Sequence, residues 1–187
     1  DLNNKTYNNY LRFYTTLWNW FIEQGYCKTN AFIGVKSKKQ QTKDRTLIPE
    51  ATRADIKKYF KANNQQMYIV SLLVFHTLLR PKEITFLKQE HFDFENQIIR
   101  IPGTVAKNHN MRIATIPDVI LGDLIQFNFN NSMPQDYIFG IRGLSTSKKM
   151  DPREFTRDWS KMRESLKLNK TMKLYSLRDS GIVQLLI

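Results

Sequence analysis

The segment that most constrains the fold is the apolar run QQMYIVSLLVFHTLL at positions 65–79. Its apolar side chains would surround a helix on every side, and such a helix is stable only when other elements cover it. The run is shorter than the roughly 18 apolar residues of a membrane span, so no contact with a membrane is expected. It predicts a helix buried between neighbours, with His76 as a hydrogen-bonded core residue because no metal-ligating side chain lies at i−4 or i+4.

Helical patterns flank this segment on both sides. Apolar side chains recur at helical spacing along residues 4–24, and Gly25 suits the end of that helix. Its aromatic stripe is expected to lie in a core and not on a base-stacking surface. Further helices are predicted over 51–63, 81–94, 118–128, 151–168 and from Tyr175 onward.

A change of period between positions 96 and 117 indicates β-structure. Ile99, Ile101, Ile113 and Thr115 alternate with other residues on either side of a polar stretch that contains Lys107. This pattern predicts a small antiparallel sheet with Lys107 near its turn. The expected fold is therefore mainly α with a small antiparallel β-sheet, in the α+β class.

A basic segment without large apolar side chains, KSKKQQTKDRT, occupies positions 36–46. Its composition predicts a linker over 36–47, between a helical unit at 1–35 and a larger domain at 48–187. The linker is either a solvated tether or a contact with phosphates, made by Lys36, Lys38, Lys39, Lys43 and Arg45.

Composition limits the partners, metals and cofactors that are expected. The net charge is +12, from 29 basic and 17 acidic residues, which favours a polyanion such as double-stranded DNA as the partner. Cys27 is the single cysteine, so no internal disulfide and no thiolate zinc site can form, and a reducing cytoplasm is expected. No acidic cluster suggests a two-metal nuclease and no glycine-rich loop suggests nucleotide hydrolysis, so neither metal nor cofactor is expected.

Three cationic side chains stand at junctions between predicted elements. Arg80 follows the apolar run, Lys107 lies in the hairpin, and Arg178 lies where a loop enters the last helix. A buried cation must be paired or face an anion, and two arginines with one lysine suit a phosphoryl group. The same residues also fit an ordinary structural role, in which Arg80 pairs with Glu83 and the other two are surface charges.

The three cations lie in stretches that resemble the tyrosine recombinases, also called the phage integrase family. TLLRPKEI resembles that family's T-G-L-R-x-x-E-L, with Arg80 and Glu83 on its Arg and Glu and with Leu78 replacing the common glycine. GTVAKNHNMRIATIP resembles the hairpin of the catalytic lysine, which corresponds to Lys107. LYSLRDSGIVQLL resembles H-x-L-R-H-T-F-A-T-x-L, with Arg178 on the second catalytic arginine. By this resemblance 1–35 is the end of a core-binding domain and 48–187 is most of a catalytic domain.

The sequence departs from that family at two positions. Tyr175 stands where the motif has its first histidine, and Asp179 stands where it has the second. A phenol has a pKa near 10, so Tyr175 suits hydrogen-bond donation to a phosphate better than base catalysis at neutral pH. Asp179 would orient the guanidinium of Arg178 or partly offset its charge. Tyr175 is therefore expected to be a helper, not the nucleophile.

The resemblance implies a site-specific recombinase or integrase of a bacterial mobile element, acting in DNA integration or transposition. Such enzymes break and rejoin DNA through a 3′-phosphotyrosine without metal or cofactor. The nucleophilic tyrosine is expected beyond Ile187, so this chain is expected to be an inactive, monomeric fragment. The intact protein is expected to be a tetramer on DNA, in the cytoplasm and associated with the nucleoid.

Two other functions fit parts of the sequence. Tyr175 and Asp179 favour a relative that binds DNA without cutting it. The net charge alone also fits a general RNA-binding or scaffold protein.

Overall fold

The computed structural model describes residues 2–40, 46–105, 110–127, 133–140 and 146–186. The chain divides into two compact units, Asp1–Asp44 and Arg45–Ile187. Among the described helices, none combines the length and the hydropathy of a membrane span.

The first unit is built on one helix, α1 (Asn4–Glu23). The side chain of Asn3 caps it by accepting the backbone N–H of Thr6 at 2.9 Å, and Gly25 follows its end with a φ of 75°. The segment after the helix returns along it, where the Asn8 amide bonds both the N–H and the carbonyl of Lys38, each at 2.8 Å. The helical periodicity therefore predicted this element correctly.

The aromatic stripe of α1 is less covered than expected. Phe32 stacks on Tyr14 with ring centres 5.4 Å apart and meets Trp18 at 5.2 Å. Even so, no residue of α1 is buried, and Phe13 and Trp20 are 60% and 46% exposed. The reason is geometric: the returning segment covers one side of the helix only.

The second unit centres on α3 (Gln65–His76), as the apolar run predicted. Every residue from Met67 to Val74 is buried, and the helix packs against five others. His76 itself is half-buried and lies at the helix end, where its ring meets Phe75 at 4.8 Å. The neighbouring helices are α2 (Glu50–Asn63), α4 (Pro81–Ile84), α5 (Asp118–Gln126), α6 (Pro152–Ser165) and α7 (Leu174–Leu185).

Helices α3 and α7 approach each other closely at Gly181. A Cβ atom at this position would overlap the carbonyl oxygen of Phe75 and come within 3.1 Å of a Leu78 side-chain carbon. Only glycine allows the two backbones to lie so close. This contact holds the middle of α7 beside the end of α3.

A three-stranded antiparallel sheet in the order β1-β2-β3 completes the unit. Its strands are β1 (Phe92–Asp93), β2 (Ile98–Ile101) and β3 (Arg112–Thr115), with Ile99 opposite Ala114 and Ile101 opposite Arg112. Ile99 and Ile101 are buried, which explains their alternation in β2. In β3 the buried residue is Ala114, while Ile113 and Thr115 of the predicted alternation are exposed. The expected fold class, mainly α with a small antiparallel sheet, is confirmed.

The helix predicted over 81–94 is wrong for most of its length. Only Pro81–Ile84 is α-helical; a 3₁₀ turn follows at Gln89–His91, and then β1. Leu87 accepts the backbone N–H of Ile138 at 2.9 Å, so this stretch bonds to a segment distant in the chain instead of to itself. Tertiary pairing has overridden the local pattern.

Candidate active site

Arg80 lies at the junction between α3 and α4. Its backbone is extended, and Pro81 begins α4 at a position where a missing N–H costs nothing. The Glu83 carboxylate reaches back over this turn and accepts the backbone N–H of Arg80 and its Nη1, each at 2.8 Å. Arg80 therefore pairs with Glu83, as the ordinary structural role of this arginine predicts. A third of its side chain nevertheless stays exposed.

A second arginine shares the carboxylate of Glu83. Arg112, the first residue of β3, donates from Nη2 to Oε2 of Glu83 at 2.7 Å. The Glu83 side chain is 2% exposed, and burial alone would raise its pKa. The hydrogen bonds from Arg80 and Arg112 outweigh burial and lower that pKa. Two guanidinium groups thus share one carboxylate, which leaves a net positive charge.

Arg178 reaches the same region from α7, which lies a hundred residues further along the chain. Its Nε donates to the carbonyl oxygen of Leu78 at 2.8 Å, two residues before Arg80. Leu78 has a φ of 57°, in the left-handed region, where the family motif has glycine. The backbone that ends α3 therefore holds Arg178 beside Arg80.

Tyr175 lies close to both arginines, since it shares a cleft with Arg80 and its ring faces Arg178. Its ring centre is 5.9 Å from Cζ of Arg178, within reach of a cation–π interaction. The pKa of Arg80 is raised, chiefly by hydrogen bonding to Glu83 and to a smaller degree by Tyr175. Tyr175 is 46% exposed, so its hydroxyl is accessible to a ligand.

Arg80, Glu83 and Tyr175 line one cleft of about 740 Å³. The opposite wall is formed by α6 and by the segment before α7. Its polar side chains are Thr156, Ser160, Arg163 and Lys173, and Lys82 lies beside Arg80. The cleft thus has four cations against one carboxylate that is already paired.

The sequence did not single out the cations of the far wall or Arg112. Thr156, Ser160 and Arg163 follow helical spacing on one face of α6, and this polar stripe was the available signal. For Arg112 there was none, because its partner lies 29 positions earlier in the chain.

Several predicted residues are not tested by this geometry. Lys107 lies in 106–109, and Lys43 and Arg45 lie in 41–45, outside the described residues. Asp179 is half-buried on α7. Lys36, Lys38 and Lys39 are exposed in the first unit, where Lys38 also lies 4.6 Å from the centre of the Tyr7 ring.

The donor chemistry of the cleft suits an anion. Guanidinium, ammonium and hydroxyl groups face it, and arginine forks match pairs of phosphate oxygens. Among the described residues, no group of three or more His, Cys, Asp or Glu side chains is arranged to hold a metal ion.

Comparison with protein families gives a match over most of the chain. The family model described as the phage integrase family matches residues 38–186. No curated protein sequence matches the chain.

Solved structures share the fold at low sequence identity. The Tn1549 transposon integrase in complex with a circular intermediate DNA matches with a TM-score of 0.75 and 16% identity, over 97% of this chain and 66% of that one. A lambda integrase dimer bound to a COC′ core site matches at 0.70 and 11%, over 91% and 63%. The XerA recombinase matches at 0.61 and 17%, over 75% and 50%. The chain thus spans about two thirds of the Tn1549 integrase chain.

Proposed function

Since the chain belongs to the phage integrase family, we propose that it acts in site-specific DNA recombination or integration, within a tyrosine recombinase of a mobile element. The observation that carries the proposal is the meeting of Arg80 and Arg178 at Tyr175, beside one cationic cleft. These residues come from two segments that are far apart in the sequence, and the fold brings them to one region.

Double-stranded DNA is the proposed ligand. The net charge of +12 and the four cations along the cleft support it. The Tn1549 integrase and lambda integrase structures that share this fold are complexes with DNA, which supports the same ligand here. Lys36, Lys38, Lys39, Lys43 and Arg45 would add phosphate contacts along the predicted linker.

The proposed reaction is an in-line exchange at a backbone phosphorus. A tyrosine phenolate of the recombinase forms a bond to phosphorus, and the bond to the 5′-oxygen breaks, leaving a 3′-phosphotyrosine. Arg80 and Arg178 would hold the non-bridging oxygens, where charge develops in the transition state. Lys107 would give its proton to the departing 5′-oxygen. Attack by a 5′-hydroxyl on the phosphotyrosine reverses these steps and reseals the strand.

Three further side chains would support this clamp. Tyr175 would donate a hydrogen bond to the phosphate from the position of the family's histidine. Glu83 orients Arg80 through its two hydrogen bonds. Asp179, next to Arg178 in the sequence, would tune the charge of that arginine.

The test is covalent trapping of the full-length protein on a nicked suicide DNA substrate. The wild-type protein is expected to form a protein–DNA adduct, and Arg80→Ala is expected to slow its formation by about 100-fold or more. Arg100→Ala is the matched control, because Arg100 is an exposed arginine of β2 that pairs with Asp93. Unchanged adduct formation by Arg80→Ala would refute the clamp.

A second candidate is a relative that binds DNA without cutting it. Tyr175 favours this function, since a phenol replaces the ionisable histidine of the motif. Strong DNA binding by the wild-type protein without any adduct would identify it. Equal affinity for RNA and DNA duplexes in a competition assay would instead indicate a general RNA-binding protein.

A further inference from the structure

We propose that Arg112 is a positioning residue for DNA cleavage, which fixes the Arg80 guanidinium through the shared Glu83 carboxylate and ties the β2–β3 hairpin to the cleft. This inference rests on the proposed function, because Arg80 matters as a phosphate ligand only if the cleft takes DNA. Neither sequence motif nor fold comparison assigns a role to Arg112.

The two carboxylate oxygens of Glu83 accept different hydrogen bonds. Oε1 accepts from Nη1 of Arg80, and Oε2 accepts from the Arg80 backbone and from Nη2 of Arg112. A carboxylate is planar, so fixing Oε2 also fixes the direction in which Oε1 points. Arg112 and the Arg80 backbone N–H therefore hold Oε2 together, and Arg112 supplies the charged half of the hold on the guanidinium that lines the cleft.

The ion pair between Arg112 and Glu83 stabilises a buried charge. The Glu83 side chain is 2% exposed, and a buried carboxylate is stable only when paired and hydrogen-bonded. Among the described residues, the charged groups that face it are Arg80 and Arg112. Without Arg112, the carboxylate would keep only the hydrogen bonds of Arg80 against the cost of burial.

The position of Arg112 in the sheet links β3 to Glu83. It stands opposite Ile101 at the inner end of the β2–β3 ladder, so it begins the strand that follows the predicted Lys107 turn. Its Nε is buried, with no hydrogen-bond partner among the described residues. Such a donor is costly, and the pairing of the same guanidinium with Glu83 offsets that cost. The contact thus joins strand β3 to the turn that carries Arg80.

The first test uses this chain alone and needs no activity. Order at Arg80 is measured from the ¹⁵N relaxation of its Nε–H signal in wild type, Arg112→Ala and the control Arg100→Ala. We expect the Arg80 signal to become mobile in Arg112→Ala only. An equally ordered Arg80 in a folded Arg112→Ala chain would overturn the proposal, whether or not the protein cuts DNA.

The second test uses covalent cleavage by the full-length protein at saturating DNA, measured against pH. Arg112→Ala is expected to slow cleavage by about 10- to 100-fold, as small misplacements of a reacting group do, while DNA affinity changes less than about 3-fold. Losing one donor raises the Glu83 pKa, so the acid limb of the rate profile moves to higher pH. Arg100→Ala should keep both the rate and the limb.

Two further variants separate positioning from a general effect on stability. Arg112→Lys keeps one charged donor, so it should recover part of the cleavage rate and part of the shift of the acid limb. This variant also keeps the inference testable if Arg112→Ala does not fold. Adding Arg112→Ala to Glu83→Gln should change the rate little, because both act through one carboxylate. Full additivity, or cleavage by Arg112→Ala equal to that of Arg100→Ala, would refute the inference. An inactive wild-type protein would count against the proposed function instead.

Discussion

Leu78 shows how a single residue sets the geometry of the cleft. It adopts a φ of 57°, where a non-glycine residue costs roughly 1–2 kcal/mol, and its carbonyl accepts the Nε of Arg178. The strain persists because the surrounding packing determines the turn. A family motif that has glycine at this position is consistent with the same turn.

Replacing Leu78 by glycine should therefore cost little. Relief of the left-handed strain offsets the loss of a half-buried side chain, so we expect Leu78→Gly to change the free energy of unfolding by less than about 1 kcal/mol. The neighbouring Leu79 is fully buried, and Leu79→Gly should cost about 3 kcal/mol or more. Urea denaturation of the two variants compares them. Equal losses would show that Leu78 carries no strain.

Glu83 predicts a pH dependence of stability. Its pKa is lowered in the folded chain by the hydrogen bonds of Arg80 and Arg112 against the effect of burial. Its stabilising contribution is therefore present above the usual carboxyl range and is lost as the pH falls through the lowered pKa.

The measurement is chemical denaturation of wild type and Glu83→Gln between pH 7 and pH 3. Glu83→Gln should cost about 3 kcal/mol at pH 7, because two arginines lose a buried partner. The difference should shrink as the pH falls. A gap that stays constant with pH would mean that folding does not lower the pKa of Glu83.

At the scale of elements, the contact between α3 and α7 depends on Gly181. Gly181→Ala would place a methyl group on the carbonyl oxygen of Phe75, so we expect a loss of about 3 kcal/mol or more and weaker DNA binding. Gly122 in α5 is the control, since a Cβ there meets nothing within 4 Å and alanine favours a helix. Gly122→Ala should stabilise by about 0.5–1 kcal/mol. Thermal unfolding measures both, and equal effects would contradict the close approach.

The polar face of α6 predicts how DNA affinity responds to salt. If Arg163 and Lys173 contact phosphates, removing either one should lower the slope of log K against log salt by about 0.9. Lys161 lies on α6, pairs with Asp158 and is absent from the cleft lining, so Lys161→Ala should keep the slope. Fluorescence anisotropy with duplex DNA gives the slopes. Identical slopes for all three variants would mean that DNA binds elsewhere.

Elements were predictable where local pattern and tertiary packing agree. The apolar run gave α3 because no other arrangement covers it, and the alternation of Ile99 and Ile101 gave β2. The helix predicted over 81–94 failed because its middle bonds to a segment about 50 positions later, which no local pattern reports. Arg112 was missed for the same reason, since its role depends on a partner in another element.

At the scale of the whole molecule, the cationic cleft depends on three distant segments. The α3–α4 turn supplies Arg80 and α7 supplies Tyr175 to its lining, while Arg112 of the sheet holds Glu83. Arg178 of α7 lies behind this turn, bonded to the Leu78 carbonyl. Burial of α3 brings α4 and α7 together, because both pack on it. The family's ordered motifs predicted Arg80 and Arg178 as site residues, and the fold places Tyr175 close to both.

A crystal structure of the chain bound to duplex DNA tests the central claim most directly. We expect one backbone phosphate whose non-bridging oxygens accept hydrogen bonds from both Arg80 and Arg178, with the Tyr175 hydroxyl beside it. DNA bound on another surface, with the cleft free of phosphate, would contradict it.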